Sequence, residues 1–211
     1  MLNGLFESSL LPDNIDRNTL IAGVDEVGRG ALFGSVVAAA VLLPLSAIPH
    51  LTNLGINDSK KLTARKRQQL IKPIESVVTD CQIAEATVAE IDELNILHAS
   101  LLAMKRAILA LEPVPEFCFI DGQFLIPNLA IAQYAIVKGD SRSLAIAAAS
   151  ILAKVWRDDL ITRLAPKYPE YDLARNKGYP TAKHQLALQN YGVSSQHRKS
   201  FAPCRRVLKK D

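Results

Sequence analysis

The chain has 211 residues, of which 49% are hydrophobic and 22% are charged. This length and this apolar content predict one domain with a substantial core, and they exclude a low-complexity or disordered chain. Lysine and arginine number 25 against 21 acidic residues. That mildly basic balance is compatible with a polyanionic partner, but it does not identify one.

Three cysteines, Cys81, Cys118 and Cys204, lie far apart and form no C-x-x-C pair. Their odd number, and the apolar runs around Cys81 and Cys118, predict free thiols and therefore a reducing compartment. The N-terminus lacks the basic n-region of a secretory signal, and no apolar stretch is long and uncharged enough for a membrane span. We therefore expect a cytoplasmic monomer that works away from membranes.

The spacing of apolar residues predicts alternating strands and helices, which is typical of an α/β layer fold. Residues 1–18 show no clear period and are expected to form an arm, and the prolines and glycine between 44 and 58 indicate a loop. Pro73 is expected to kink or break its helix, and Asn95 is expected to cap the next one. In chain order, the predicted elements are strands at 20–24 and 35–43, a helix at 63–77, a strand at 81–88, a helix at 96–111, strands at 117–120 and 132–137, and helices at 143–164 and 181–190.

Acidic residues follow three of the predicted strands. Asp25 and Glu26 end the first strand, Asp121 follows the strand at 117–120, and Asp140 comes shortly after the strand at 132–137. If these strand ends are neighbours, four carboxylates meet in one cleft, where they repel one another unless protons or cations neutralise them. Adjacent strand residues point to opposite faces, so Asp25 and Glu26 converge only if the chain bends between them.

Carboxylate oxygens alone favour Mg²⁺ or Mn²⁺ over Zn²⁺, and the four histidines show no zinc-type spacing. From the first strand alone, an acid pair that faces water remains an equal alternative to a metal site. A second alternative is a dinucleotide-binding loop, since glycines occupy positions 28, 30 and 34. We disfavour it because the two acids would face the pyrophosphate and a β-branched run follows where a helix should begin.

The segment Asp25–Gly30, DEVGRG, resembles the signature of ribonuclease HII, the bacterial type 2 ribonuclease H. Further segments match the same family in the same order, and together they extend over nearly the whole chain beyond residue 20. Ordered matches of this kind are far more specific than any single motif. The further segments are Asn57–Leu62, Ile120–Gly122, Lys138–Ser141, Ala148–Lys154 and Lys177–Thr181.

This resemblance implies a ribonuclease H-like α/β fold, with a five-stranded mixed sheet flanked by helices. It implies a catalytic domain over residues 19–211, including a small helical C-terminal part from about residue 165. It also implies metal-dependent phosphodiester hydrolysis with two Mn²⁺ or Mg²⁺ ions in the substrate-bound state, leaving 5′-phosphate and 3′-hydroxyl ends. The implied catalytic metal ligands are Asp25, Glu26, Asp121 and Asp140.

The resemblance further implies residues that recognise the substrate. The backbone of Gly28, Arg29 and Gly30 would contact a ribose 2′-hydroxyl, although glycines there also suit a tight turn. Tyr179 resembles the family tyrosine that packs on the deoxyribose of the next nucleotide; taken alone, it would be a packing tyrosine at a turn. Further contacts to the phosphates or the cleft are expected from Ser59, Lys60, Lys61, His184 and Arg198.

We therefore expect an endoribonuclease that acts on RNA–DNA hybrids and on DNA duplexes that contain ribonucleotides. One alternative is a metal-dependent DNA nuclease or another ribonuclease H-like phosphotransferase, with the same acids but no recognition of the 2′-hydroxyl. The other alternative is a noncatalytic nucleic-acid-binding domain, which the four acids argue against. Cleavage of DNA, RNA, hybrid and single-ribonucleotide duplexes with Mg²⁺, Mn²⁺ or a chelator separates the three.

Overall fold

A computed structural model describes residues 6–12, 14–56 and 62–209. Strands and helices alternate along this part of the chain, and each predicted strand and helix is present. The strands are β1 (Leu20–Val27), β2 (Val36–Pro44), β3 (Asp80–Ala86), β4 (Phe117–Asp121) and β5 (Ala132–Ile136). The helices are α1 (Ile48–Asn53), α2 (Ala64–Val77), α3 (Val88–Leu94), α4 (Ile96–Leu109), α5 (Leu144–Leu164), α6 (Leu173–Asn176), α7 (Ala182–Tyr191) and α8 (Ala202–Leu208).

The five strands form one mixed sheet in the order β3-β2-β1-β4-β5. Strands β1, β2 and β3 pair antiparallel, whereas β4 pairs parallel with both β1 and β5. In the register, Val24 lies opposite Ile120 and Asp121 lies opposite Ile136. The carboxyl ends of β1, β4 and β5 therefore lie side by side, which confirms the neighbouring strand ends that the acid positions required.

Helices cover both faces of the sheet. The apolar side chains of α1, α2 and α5 pack with Ile21, Val41 and Leu43 on one face, and those of α3 and α4 pack with Ala22 and Leu42 on the other. The Ala-rich half of α5 lies so close to β1 that a Cβ atom on Gly23 would be 2.2 Å from the carbonyl carbon of Ala145. This close approach is the reason for the small residues on both elements, and it brings the middle of α5 over the end of β1.

One local prediction was wrong, and for a second the structure excludes one of the two expected outcomes. The segment between 44 and 58 contains helix α1, whose first turn accommodates Pro49 because a first-turn N–H needs no helical partner. Helix α2 begins after the Thr63 cap and continues through Pro73 without a break. By contrast, Asn95 caps α4 as predicted, with its side chain accepting hydrogen bonds from the backbone N–H groups of Leu97 and His98.

The C-terminal elements form a third core cluster around Phe33, Tyr171 and Leu188. They also bind the loop that follows β1, because the N–H of Leu32 donates to the carbonyl of Gly178 at 2.8 Å and Phe33 forms a β-bridge with His197. The helical C-terminal part is therefore attached to the segment that begins at the β1 acids. Within the described ranges, none of the helices combines the length and apolarity that crossing a bilayer requires.

Candidate active site

Three carboxylates meet at the ends of β1 and β4. Asp25, Glu26 and Asp121 each offer an oxygen, and these oxygens lie within 4.8 Å of one another. Asp25 and Glu26 both belong to strand β1, which continues to Val27. An oxygen of Asp25 lies 2.7 Å from the backbone N–H of Glu26, which donates to it. The Asp25 side chain thus turns along the strand toward the end where Glu26 and Asp121 lie.

The turn after β5 holds the side chain of Asp121 by a hydrogen bond. Lys138 adopts a left-handed conformation with φ of 56°, and the following N–H of Gly139 donates to the Asp121 carboxylate at 2.7 Å. Asp140 occupies the same turn and is buried. It is not a member of the group of three acids found among the described residues. Its role as a fourth ligand stays a prediction.

Burial and mutual repulsion control the protonation of this cluster. Burial raises the pKa of Asp25 well above its ordinary value, and the charges of Glu26 and Asp121 raise it further. A hydrogen bond from the Ser150 side chain on α5 acts in the opposite direction. Burial also raises the pKa of Glu26, although the guanidinium of Arg29, 3.0 Å from one Glu26 oxygen, partly offsets the rise. The acids therefore form a site that is short of positive charge.

The donor set fits hard divalent cations. The second oxygen of Glu26, Oε2, is buried without a hydrogen-bond partner. A buried carboxylate oxygen without a partner is energetically costly. A cation bound between the three acids would be the missing partner of Oε2. Every ligand atom in the group is a carboxylate oxygen, which suits Mg²⁺ or Mn²⁺. Asp25, Glu26 and Asp121 are the residues that would hold such ions.

The predicted sugar-recognition residues lie beside the acids. A cavity of about 340 Å³ is lined by the acids, by the turn Gly28–Gly30 and by Tyr179. Gly28 has φ of +94°, a conformation that side-chain-bearing residues rarely adopt. Tyr179 follows Gly178, where a Cβ atom would come within 2.8 Å of the Phe33 carbonyl oxygen. The arrangement brings the turn and the tyrosine ring to one cleft, while their roles in recognition stay predictions.

A buried arginine on α5 joins these two elements. Arg157 donates hydrogen bonds to the carbonyl oxygens of Phe33, Ser35 and Lys177. Its guanidinium carbon lies 5.6 Å from the centre of the Tyr179 ring. A Cβ atom on Gly28 would come within 2.1 Å of its Nε atom, so the glycine also leaves space for this side chain.

Two of the residues predicted to contact the phosphates or the cleft, His184 and Arg198, are fully buried, and their roles as contacts stay predictions. His184 is hydrogen-bonded to the other buried histidine, His197. Arg198 donates to the carbonyl oxygens of Arg29, Gly34 and Ser35, so it supports the glycine turn from behind. The sequence counts such side chains as basic, but it does not show which of them fold inward. The predicted contacts Ser59, Lys60 and Lys61 lie outside the described residues.

The site also contains residues that the sequence analysis did not assign to it. Ser150 and Lys154 on α5 and Arg67 on α2 line the cavity. A signal was present for α5, because Ser150, Lys154 and Arg157 follow one another at spacings of four and three and therefore share a helix face. The Lys154 Nζ atom lies 5.5 Å from the centre of the Tyr179 ring and forms an ion pair with Asp158. No comparable spacing marks Arg67.

Comparison with known proteins agrees with this arrangement. The family model described as Ribonuclease HII matches residues 22–204. Ribonuclease HII of Trichodesmium erythraeum is 61% identical over 189 residues, which cover 90% of each chain. Ribonuclease HII of Nostoc sp. is 58% identical over 202 residues, which cover 96% of this chain and 89% of the relative.

Solved structures give the same result. The crystal structure of the ribonuclease H2 from Pyrococcus horikoshii superposes with a TM-score of 0.77 at 27% identity, covering 91% of this chain and 98% of the other. A second similar structure is the complex of PCNA with RNase HII from Archaeoglobus fulgidus, with a TM-score of 0.72 at 28% identity over 84% of this chain and 91% of that one. The family model, the close relatives and the fold therefore agree that this chain belongs to the ribonuclease HII family.

Proposed function

We propose that this ribonuclease hydrolyses the RNA strand of RNA–DNA hybrids and cuts DNA duplexes on the 5′ side of an embedded ribonucleotide. The observation that carries the proposal is the shared cavity, in which the glycine turn and Tyr179 lie beside the acids. Hydrolysis and sugar selection would then occur at adjacent positions on one strand. The expected products carry a 5′-phosphate and a 3′-hydroxyl.

The acids supply the hydrolytic part of this proposal. Asp25, Glu26 and Asp121, with Asp140 as the fourth predicted ligand, would hold two Mg²⁺ or Mn²⁺ ions. When bound, such ions activate the attacking water and stabilise the leaving 3′-oxygen. The chain itself contributes a fixed ligand geometry, because the backbone N–H groups of Glu26 and Gly139 orient the Asp25 and Asp121 carboxylates. The Ser150 side chain forms a further hydrogen bond to Asp25.

The turn and the tyrosine supply the selectivity. Backbone groups at Gly28 and Gly30 would pair with the 2′-hydroxyl of the ribonucleotide beside the cut, and a deoxyribose there would leave them without a partner. Each unpaired buried polar group costs about 1–3 kcal/mol, enough to suppress cleavage of an all-DNA duplex. The ring of Tyr179 would pack on the following sugar, where a 2′-hydroxyl would crowd it. Together the two elements recognise an RNA-to-DNA junction.

The test is single-turnover cleavage of matched duplexes that contain no, one or four ribonucleotides, with Mg²⁺, Mn²⁺ or EDTA. We expect no cutting of the all-DNA duplex, cutting on the 5′ side of a single ribonucleotide, and no activity in EDTA. Tyr179→Ala should slow junction cleavage much more than it weakens duplex binding, because phosphate contacts dominate affinity. Equal cutting of the all-DNA duplex, product ends on the 3′ side of the ribonucleotide, or full activity in EDTA would contradict the proposal.

A further inference from the structure

Two buried histidines in the C-terminal part have no place in the proposed chemistry. His184 on α7 and His197 in the segment Ser194–Arg198 are both 0% exposed. Their Nε2 atoms lie 3.1 Å apart, which is a hydrogen-bond distance. Neither lines the cavity of the acids. Their contacts lead instead toward Tyr179.

Two backbone groups determine the direction of the hydrogen bonds in this pair, and the Ser194 hydroxyl also lies 2.8 Å from Nδ1 of His197. The N–H of Ser194 donates to Nδ1 of His197 at 3.0 Å, so a neutral His197 carries its proton on Nε2. That proton is directed at Nε2 of His184, which must accept it and must carry its own proton on Nδ1. The Nδ1–H of His184 lies 3.0 Å from the carbonyl oxygen of Tyr179 and donates to it. The two imidazoles thus form a chain of hydrogen bonds, called the relay below, in which each donor points from Ser194 toward Tyr179.

The surroundings keep both rings neutral. Burial lowers the pKa of His197 to about 3, and the neighbouring His184 contributes to the decrease. Burial also lowers the pKa of His184, although the Tyr179 carbonyl acts in the opposite direction. An additional proton on the Nε2 atom of His184 would place two N–H donors face to face. The relay is therefore a fixed hydrogen-bonded structure at neutral pH.

The segment that begins the relay also holds the glycine turn. The carbonyl of Gln196 accepts a hydrogen bond from the N–H of Gly34 at 2.8 Å, and Arg198 donates to the carbonyl of Arg29 at 2.9 Å. The segment Ser194–Arg198 is therefore bonded directly to the loop that carries Gly28–Gly30, and it is bonded through the two imidazoles to Tyr179. One short segment connects both predicted sugar-recognition elements.

We propose that His184 and His197 are positioning residues, which hold Tyr179 by its backbone carbonyl at a fixed place relative to the turn Gly28–Gly30. The inference rests on the proposed function, because it assigns the relay to selection of the RNA-to-DNA junction. The role is positional, and the imidazoles neither touch the reacting phosphate nor exchange protons with it. Displacement of a positioning group by about 1 Å can cost about 100-fold in rate, so a relay of this kind has a measurable effect.

A double-mutant cycle tests the coupling. In single-turnover cleavage of a duplex with one ribonucleotide, Tyr179→Ala should slow the wild-type protein by about tenfold or more. In the background of His197→Leu, which removes the relay, the same substitution should slow cleavage by about threefold or less. His197→Leu should leave duplex affinity unchanged in both the wild-type and the Tyr179→Ala background, because the relay makes no phosphate contact.

Two amide substitutions provide the matched control. His197→Gln places an N–H donor near the former Nε2 position and should preserve the Tyr179→Ala effect. His197→Asn keeps an acceptor for Ser194 but does not reach His184, and it should lose the effect. A merely structural role for His197 predicts the same Tyr179→Ala factor in every background, and that outcome would overturn the inference.

Nitrogen NMR of the imidazoles tests the relay without substrate, and it does not depend on a variant that folds. At neutral pH, we expect His184 as the Nδ1–H tautomer and His197 as the Nε2–H tautomer, with neither ring charged. A charged ring or the reversed tautomers would refute the relay, even if the proposed function holds. If Tyr179→Ala leaves wild-type junction cleavage unchanged, the proposed function fails, and the tautomers still decide whether the relay exists.

Discussion

A pair of arginines and a group of carboxylates are both buried among the described residues, and they differ in how completely the protein satisfies their hydrogen bonds. The guanidiniums of Arg157 and Arg198 each donate three hydrogen bonds to backbone carbonyl oxygens. In the acidic group, Asp25 accepts hydrogen bonds from the N–H of Glu26 and from the Ser150 side chain, whereas the Oε2 atom of Glu26 is buried without a hydrogen-bond partner. The arginine group is thus completed by the protein itself, whereas the acidic group is left incomplete.

The protonation of the two groups shows the same contrast. Burial and the charge of Arg157 lower the pKa of Arg198 to about 9, so Arg198 is still charged at neutral pH. Burial and repulsion raise the pKa of Asp25, so its charged form is disfavoured until a cation arrives. Buried charges with complete hydrogen bonding support the fold. Buried charges without it mark the place where a ligand completes the structure.

The largest expected effect is on catalysis. Asp25→Asn should reduce cleavage by more than about 100-fold, since even the outer partners of metal ligands contribute about 10–100-fold. The same result is expected for Asp121→Asn and for Asp140→Asn. In EDTA, the melting temperature of Asp25→Asn should be higher than that of the wild-type protein, because repulsion in the cluster falls.

Asp159→Asn is the control for this prediction, because it removes the same charge from an exposed position on α5. It should change neither the rate nor the melting temperature. Near-normal cleavage by Asp25→Asn in saturating Mg²⁺ or Mn²⁺ would remove the acidic group from the proposed active site.

The next effect is a loss of stability, whereas Asp25→Asn is expected to raise the melting temperature. Arg198→Met keeps the apolar stem but removes the donor to the carbonyl oxygens of Arg29 and Gly34. The carbonyl of Ser35 loses one of its two donors and keeps the hydrogen bond from Arg157. The free energy of unfolding should fall by about 2–4 kcal/mol, since each unpaired buried group costs about 1–3 kcal/mol and the removed charge offsets part of this. Urea denaturation measures the change, with exposed Arg175→Met as the control. If Arg198→Met is as stable as the wild-type protein, the carbonyl contacts do not support the fold.

The smallest effect is a pH dependence of stability in the absence of metal. The folded-state pKa of Asp25 is raised above its ordinary value of 3.8, so the folded protein binds this proton more tightly than the unfolded chain. The resulting stabilisation is present below pH 3.8 and is lost as the pH rises through the raised pKa. Each pKa unit corresponds to about 1.4 kcal/mol.

The measurement is the difference in melting temperature between the wild-type protein and Asp25→Asn across a pH series in EDTA. Acids such as Glu90 contribute a pH dependence of the opposite sign, because hydrogen bonds from Arg106 lower the pKa of Glu90 to about 2. Both proteins contain these acids, so the difference in melting temperature cancels their contribution. Saturating Mg²⁺ should restore stability at the higher pH values. A difference that does not vary with pH would mean that Asp25 is not perturbed by its burial.

The contrast between the two charged groups also explains what was predictable from sequence. Short apolar runs located the strands, and acids that follow those runs located the cleft, because the carboxyl ends of neighbouring parallel strands lie at one edge of the sheet. The burial of His184 and Arg198 was not predictable, since their partners are backbone carbonyls or a distant ring. Such contacts depend on which loops meet, and no local pattern records that.

Other misses had a readable local signal. Helix α3 begins with a capping box between Thr87 and Glu90, in which each side chain accepts the hydrogen bond of the other residue's N–H. Arg157 shares a helix face with Ser150 and Lys154. The arm predicted for residues 1–18 contains Glu7, which is buried and accepts a hydrogen bond from Ser143. A lone buried glutamate at the start of a four-residue 3-10 helix, Glu7–Leu10, carries no such signal.

The contact between Gly23 and Ala145 gives position 23 an influence that its own chemistry does not suggest. Gly23 has no side chain and no exposed surface, but it sets how closely the axis of α5 approaches the sheet. A methyl group there would act as a wedge under the first turn of a 21-residue helix. Because a helix is a stiff rod with a rise of about 1.5 Å per residue, the wedge would tilt Ser150, Lys154 and Arg157 away from the acids together. The width of the cleft therefore depends on how closely α5 packs on Gly23, a residue that does not contact the substrate.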